Sequence, residues 1–234
     1  MKKNGLTTER LNARDIIITD EDIHMYLLIG SERAMLVDAG FGVRDVPAAV
    51  KQLTELPLTV VNTHGHYDHA AGNVQFKKVY AHPAEHELIR TTVRGDYELL
   101  PLAEGDKIDL GDRVFEVFNI SGHRPGSLVL LERRERLIVT GDNVVTTPVV
   151  MYLEDADAGE LFAGLQKLSS MRESFDIIYP SHGDTPLSPG MIDNMMACVG
   201  EYIKGNIMGE KAVGPDGADC VLYTFSGAAL FCRE

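Results

Sequence analysis

Residues 63–69 read Thr63-His64-Gly65-His66-Tyr67-Asp68-His69, and no other stretch of the 234-residue chain limits its possible structures so strongly. Three imidazoles and a carboxylate within residues 64–69 form a dense set of metal-ligand side chains, suited to zinc, iron, nickel or copper. The preceding Leu58-Thr59-Val60-Val61 is mostly apolar and rich in β-branched residues, as in a buried strand. The cluster therefore lies in the loop where that strand ends. Ala70-Ala71-Gly72-Asn73 continues as a short helical turn that Asp68 is placed to cap. Residues 64, 66 and 68 share one side of an extended segment, and a helix starting at Asp68 swings Asp68 and His69 away from His64 and His66. That arrangement suits two adjacent metal ions better than one.

Further candidate ligands occur only at the ends of other strands. Arg113 to Ile120 alternates apolar and polar residues and runs into Ser121-Gly122-His123; Leu137 to Thr140 runs into Gly141-Asp142-Asn143; Ile177-Ile178-Tyr179 runs into Pro180-Ser181-His182-Gly183. Ser127 to Leu131 pairs with Leu137 to Thr140 through the charged tip 132–136, read as a solvated turn. Near the N-terminus, Ile16 to Ile18, His24 to Ile29 and Ala34 to Val37 read as consecutive antiparallel strands, the third ending in Asp38-Ala39-Gly40-Phe41-Gly42. Helices are expected over Val46–Leu53, from Pro83 to about Val93, over Asp157–Met171 (apolar at 161, 162, 165 and 168) and over Pro189–Ile203. A short strand is expected at Lys78–Tyr80, and Val221–Phe225 with Ala228–Phe231 closes as a hairpin around Ser226-Gly227. Alternating helices and strands with ligands at strand ends imply a layered α/β fold whose loops converge at one edge. Seven ligands suit two metals: three protein ligands each plus one shared carboxylate leave positions open for water.

Composition narrows the function classes. A net charge of -13 argues against a general nucleic-acid or anionic-membrane surface, which needs an excess of Lys and Arg. The polar start of the chain has no apolar core of signal-peptide length, and no run of about 20 apolar residues is present, so a cytoplasmic protein is expected. Cys198, Cys220 and Cys232 are odd in number and widely spaced, and read as buried free thiols. With 44% hydrophobic residues and no linker, the expectation is one domain over residues 1–234; the oligomeric state is left open. No cysteine lies near the ligand motifs, which disfavours a closed structural zinc site. His82 and His86, four apart on an expected helix, and His24 on an early strand read as ordinary surface or core histidines.

These residues resemble the metallo-β-lactamase superfamily, in particular its binuclear hydrolases such as glyoxalase II. Leu36-Val37-Asp38-Ala39-Gly40 is similar to the family's opening Asp-x-Gly loop, residues 64–69 to its HxHxDH motif, Gly122-His123 to its lone histidine, Gly141-Asp142 to its bridging aspartate and Ser181-His182-Gly183 to its final histidine. The resemblance implies a single metallo-β-lactamase-like domain, a four-layer αβ/βα sandwich. It implies that His64, His66 and His123 hold one ion, that Asp68, His69 and His182 hold the other, and that Asp142 bridges them. Two divalent ions are implied, zinc in first place with manganese or iron as alternatives.

Such a centre keeps about one net positive charge once Asp68, Asp142 and a bound hydroxide are counted, and it lowers the pKa of bound water to near 7. The expected activity is therefore hydrolysis of an ester, thioester or lactone carbonyl in a small-molecule substrate by a metal-bound hydroxide. Asp68 is the candidate catalytic residue, orienting the water and moving its proton. Asp38 reads as an acceptor that orients a ligand or loop. Within the family, the short segment after His182 with few basic residues departs from glyoxalase II. Val145 stands where homoserine-lactone lactonases carry a tyrosine, and the nuclease branch's basic inserted domain is absent. The alternative is an iron-dependent oxidoreductase resembling the persulfide dioxygenases. The loop from Asn143 to Tyr152, together with Phe41, is expected either to line an apolar substrate pocket or to be ordinary core.

Overall fold

A parallel register between two short strands is the feature of the N-terminal half that matters most for the site. The structure is a computed structural model; it describes residues 5–233 and the backbone of 2–3. Two compact units divide the chain, Met1–Phe118 and Asn119–Glu234.

In the first unit the strands are β1 (Lys2–Lys3), β2 (Leu6–Arg10), β3 (Asp15–Asp20), β4 (Ile23–Ile29), β5 (Ala34–Val37), β6 (Leu58–Val61), β7 (Lys78–Ala81), β8 (Glu98–Pro101), β9 (Lys107–Asp109) and β10 (Val114–Asn119). Helices α1 (Val46–Lys51), α2 (Tyr67–Ala70) and α3 (His86–Thr92) are interleaved with them. Strands β1 to β8 form one sheet in sequence order. From β2 to β5 the pairing is antiparallel, as tight connections require, and from β5 to β8 it is parallel, as helical crossovers require. Ile16, Ile18, Leu27, Leu36 and Val60 form one buried face with Val46 and Val50 of α1. The fully buried Arg113 is matched by Asp15, with Nη1 2.6 Å from Oδ1, and lies over the Phe115 ring at 5.2 Å. Because β5 and β6 pair Val37 with Val61, their following residues, Asp38 and Asn62-Thr63, leave the sheet side by side.

The second unit contains β11 (Leu128–Glu132), β12 (Leu137–Gly141), β13 (Val149–Val150), α4 (Ala158–Ser170), β14 (Ile177–Pro180), α5 (Gly190–Ile203), β15 (Glu210–Val213), β16 (Asp219–Phe225) and β17 (Ala228–Cys232). Strand β12 pairs antiparallel with β11 and parallel with β14, which brings the ends carrying Asp142 and His182 to the same edge. Strands β15, β16 and β17 form an antiparallel meander, and the two-residue β13 joins it parallel to β17. Asp157 caps α4 by accepting the Glu160 N–H at 2.9 Å and itself donates to the carbonyl of Gly122, so the helix start is tied to the loop before His123. The three cysteines are buried and free, as expected.

Two local expectations are corrected. Helix α2 begins at Tyr67 with His66 at the cap position and no side-chain cap bond, so Asp68 lies inside the first turn instead of capping it. The tip 132–136 is not wholly solvated: Glu132 is buried and its carboxylate accepts the Glu135 N–H.

Candidate metal centre

In the first unit the ligand loop is organised by Asp38. This residue sits in the left-handed region (φ 64°) with its carboxylate fully buried. Oδ1 accepts the Thr63 N–H at 2.7 Å, and Oδ2 accepts the Thr63 hydroxyl at 2.9 Å and lies 2.9 Å from His69 Nδ1. An ionised carboxylate only accepts, so the Thr63 proton points to Asp38 and the Thr63 oxygen is left to accept from His64 Nδ1, 3.1 Å away. Asp38 likewise fixes the proton of His69 on Nδ1. With Nδ1 as the protonated nitrogen, the neutral form of both histidines offers Nε2 as the coordinating atom, as a metal requires.

The remaining candidate ligands of this unit follow from the same loop. His66 Nδ1 is 3.0 Å from His64 Nε2, close to the spacing of about 3.3 Å expected for two nitrogens on one tetrahedral zinc. Asp68 Oδ2 is 3.4 Å from His69 Nε2, and the Asp68 side chain is 26% exposed while His69 is fully buried. Gly65 donates its N–H to the buried Glu85 carboxylate at 2.9 Å, and a Cβ at this position would meet that oxygen at 2.7 Å. Asn62 anchors the far side of the loop, donating to the His69 carbonyl at 3.1 Å and accepting from Asn73 Nδ2 at 2.7 Å.

The second unit repeats the device with a backbone acceptor. His123 Nδ1 is 2.9 Å from the carbonyl of Val150, which takes its proton and leaves Nε2 as the donor atom. Asp142 Oδ2 is 3.6 Å from His123 Nε2, and its Oδ1 is 3.7 Å from His182 Nε2. One carboxylate thus turns one oxygen toward each histidine, at separations longer than good hydrogen bonds and suited to a cation between each pair. The donor chemistry and these spacings fit divalent ions with nitrogen and oxygen ligands.

Histidines outside these sets have other work. His82 Nδ1 accepts the Ala84 N–H at 3.2 Å, and burial holds its pKa below the usual range; His86 Nε2 is 3.1 Å from the Ala81 carbonyl; His24 Nδ1 is 3.2 Å from Thr19 Oγ1. In the loop from Asn143 to Tyr152, Val144, Val145 and Val149 are buried core, and the Tyr152 hydroxyl donates to Asp216 at 2.6 Å. The core reading of those valines is the one the packing supports. Glu85 and the Val150 carbonyl were not expected from sequence: Glu85 belongs to no ligand motif, and a backbone acceptor has no sequence signature.

The model of the metallo-beta-lactamase superfamily matches residues 18–182, a span that contains all seven candidate ligands. The chain belongs to the metallo-β-lactamase superfamily. It is 27% identical over 201 residues to the acyl-coenzyme A thioesterase MBLAC2 of Gallus gallus, covering 68% of this chain and 72% of that protein. It is 28% identical over 189 residues to the hydroxyacylglutathione hydrolase of Hahella chejuensis, covering 78% of this chain and 63% of that one. A solved metallo-beta-lactamase from Pontibacter korlensis superposes with a TM-score of 0.70 at 19% identity, covering 82% of this chain and 97% of that one. The α/β sandwich class expected from the sequence is therefore the fold, and the chain is an enzyme of this superfamily, a metal-dependent hydrolase. No helix among the described residues is long and apolar enough to cross a membrane.

Proposed function

We propose that this hydrolase cleaves thioesters of carboxylic acids at a binuclear centre, and that residues 1–234 act as one metallo-β-lactamase-like domain. In this reading His64, His66 and His123 hold one ion, Asp68, His69 and His182 hold the other, and Asp142 bridges. The observation that carries it is the shared engagement of Nδ1 in His64, His69 and His123, by Thr63, Asp38 and the Val150 carbonyl, which leaves Nε2 of each to coordinate. The two relatives named as a thioesterase and a hydroxyacylglutathione hydrolase favour a thioester over other carbonyl substrates.

Two divalent ions bound there, zinc in first place, would supply a water of pKa near 7 and a Lewis acid for the carbonyl. Asp68, partly exposed beside His69, takes the proton of the attacking water and returns it to the departing sulfur. Water adds to the carbonyl carbon, the C–S bond breaks, and a carboxylate and a thiol leave. Asp38 acts through His69 by holding its imidazole in the ligating tautomer.

The test is elemental mass spectrometry of protein purified without added metal, paired with a thiol-release assay on acyl thioesters before and after chelation. About two equivalents of zinc or manganese, with activity abolished by chelation and restored by metal, is the expected result. One equivalent of iron with oxygen uptake on thiol substrates would overturn the hydrolase reading in favour of a dioxygenase.

A further inference from the structure

The second unit carries an open cleft of about 450 Å³ between Thr146 and residues 224–229, within the usual size range for small-molecule sites. Both walls are continuous with the segments that hold candidate ligands. Thr146 lies on the loop that follows Asp142, and its Oγ1 accepts the N–H of Asp184, two residues beyond His182, at 2.8 Å. Gly183 packs so closely on that hydroxyl that a Cβ there would meet it at 2.2 Å. The opposite wall is the β16–β17 turn, where Ser226 and Gly227 are both left-handed (φ 53° and 76°) and Phe225 is 42% exposed. Immediately after Ala229, Leu230 and Phe231 pair with Val149 and Val150, the residue whose carbonyl orients His123.

The lining is hydroxyl, methyl, glycine backbone and one aromatic ring, with no charged side chain. Thiol leaving groups such as coenzyme A or glutathione are anionic and call for Lys or Arg, whereas an acyl chain is uncharged and gains by leaving water. We propose, resting on the thioester reading, that this cleft binds the acyl chain of the substrate and sets the preferred chain length.

The experiment compares kcat/KM for octanoyl and acetyl thioesters of one thiol, in the wild type, in Ala229→Phe and in Phe225→Ala. Filling the cleft with Ala229→Phe should lower the octanoyl-to-acetyl ratio at least 10-fold, and removing the exposed ring with Phe225→Ala should lower it about 3-fold. A ratio unchanged in both variants overturns the proposal; Phe225 is exposed, so its variant keeps the test valid even if Ala229→Phe fails to fold. Calorimetric titration with the non-hydrolysable S-octyl thioether of the same thiol separates the two readings. If the wild type cleaves no thioester, the thioester reading fails. If the thioether does not bind, or binds both variants as tightly as the wild type, the cleft assignment fails.

Discussion

Replacing Asp38 by Asn tests whether one buried carboxylate sets the protonation of the proposed metal ligand His69. Asn tolerates the positive φ of 64°, so the backbone is not newly strained. Its carbonyl can keep the Thr63 N–H, but its NH2 then faces His69 Nδ1, where the carboxylate accepted a proton at 2.9 Å. Two donors meet in a fully buried site. Either the contact is lost, or His69 moves its proton to Nε2 and ceases to be a ligand. Loss of a charge-assisted buried hydrogen bond costs about 1.5–3 kcal/mol, equivalent to roughly 3–12 °C in Tm for a chain of this size. Loss of an outer partner of a metal-bound histidine typically weakens metal affinity about 10–100-fold. Thermal melts of chelator-treated protein read the first effect, and competition against a chromophoric chelator reads the second. An affinity within 3-fold of wild type together with an unshifted Tm would show that Asp38 does not control the tautomer.

Arg113→Ala leaves the Asp15 carboxylate buried without its ion partner, and urea unfolding should register a loss of about 3–5 kcal/mol. The Tyr152 hydroxyl, and then the Ala218 N–H, hold Asp216 below its ordinary carboxylate range. A depressed folded pKa adds stability above the unfolded value near 3.9 and loses it as pH falls through the folded value. Urea midpoints from pH 7 to pH 2 should therefore drop on the acid side in the wild type, with a smaller drop in Tyr152→Phe. Burial pushes the Cys232 thiol up to about 11 and also raises Cys198 and Cys220. At pH 8 the native protein should then react slowly with Ellman's reagent, and all three thiols should titrate after unfolding; fast native reaction of one thiol contradicts the packing.

The candidate ligands stand out in the sequence because their chemistry resides in side chains crowded at strand ends, and the strands themselves announce their burial by β-branched runs such as Leu58–Val61. What holds those ligands was only partly readable. Asp38 stands out as a strand-end carboxylate, yet its three bonds depend on the Val37–Val61 register, a pairing across more than twenty residues of intervening chain. Glu85 reaches Gly65 from the turn before α3, and nothing local in either segment signals the other. The Asn143–Tyr152 loop was ambiguous because valines at a strand end serve a core and a pocket equally well. Short strands such as β13 and β15 gave too few residues for any periodicity to appear.

The bond from His123 to the Val150 carbonyl has an evolutionary corollary. Val150 is held in place by Phe231 through the β13–β17 pairing, and Arg233 Nε donates to the Tyr152 carbonyl at 2.6 Å, so part of the apparatus that aims a candidate ligand lies some fifty residues beyond the span that the family model matches. If His123 is a ligand, relatives with identical ligand motifs but divergent C-terminal strands are expected to differ in metal affinity without a change in any coordinating residue. Exchanging residues 210–233 between two such relatives and measuring metal affinity is the check: the affinity should follow the exchanged strands.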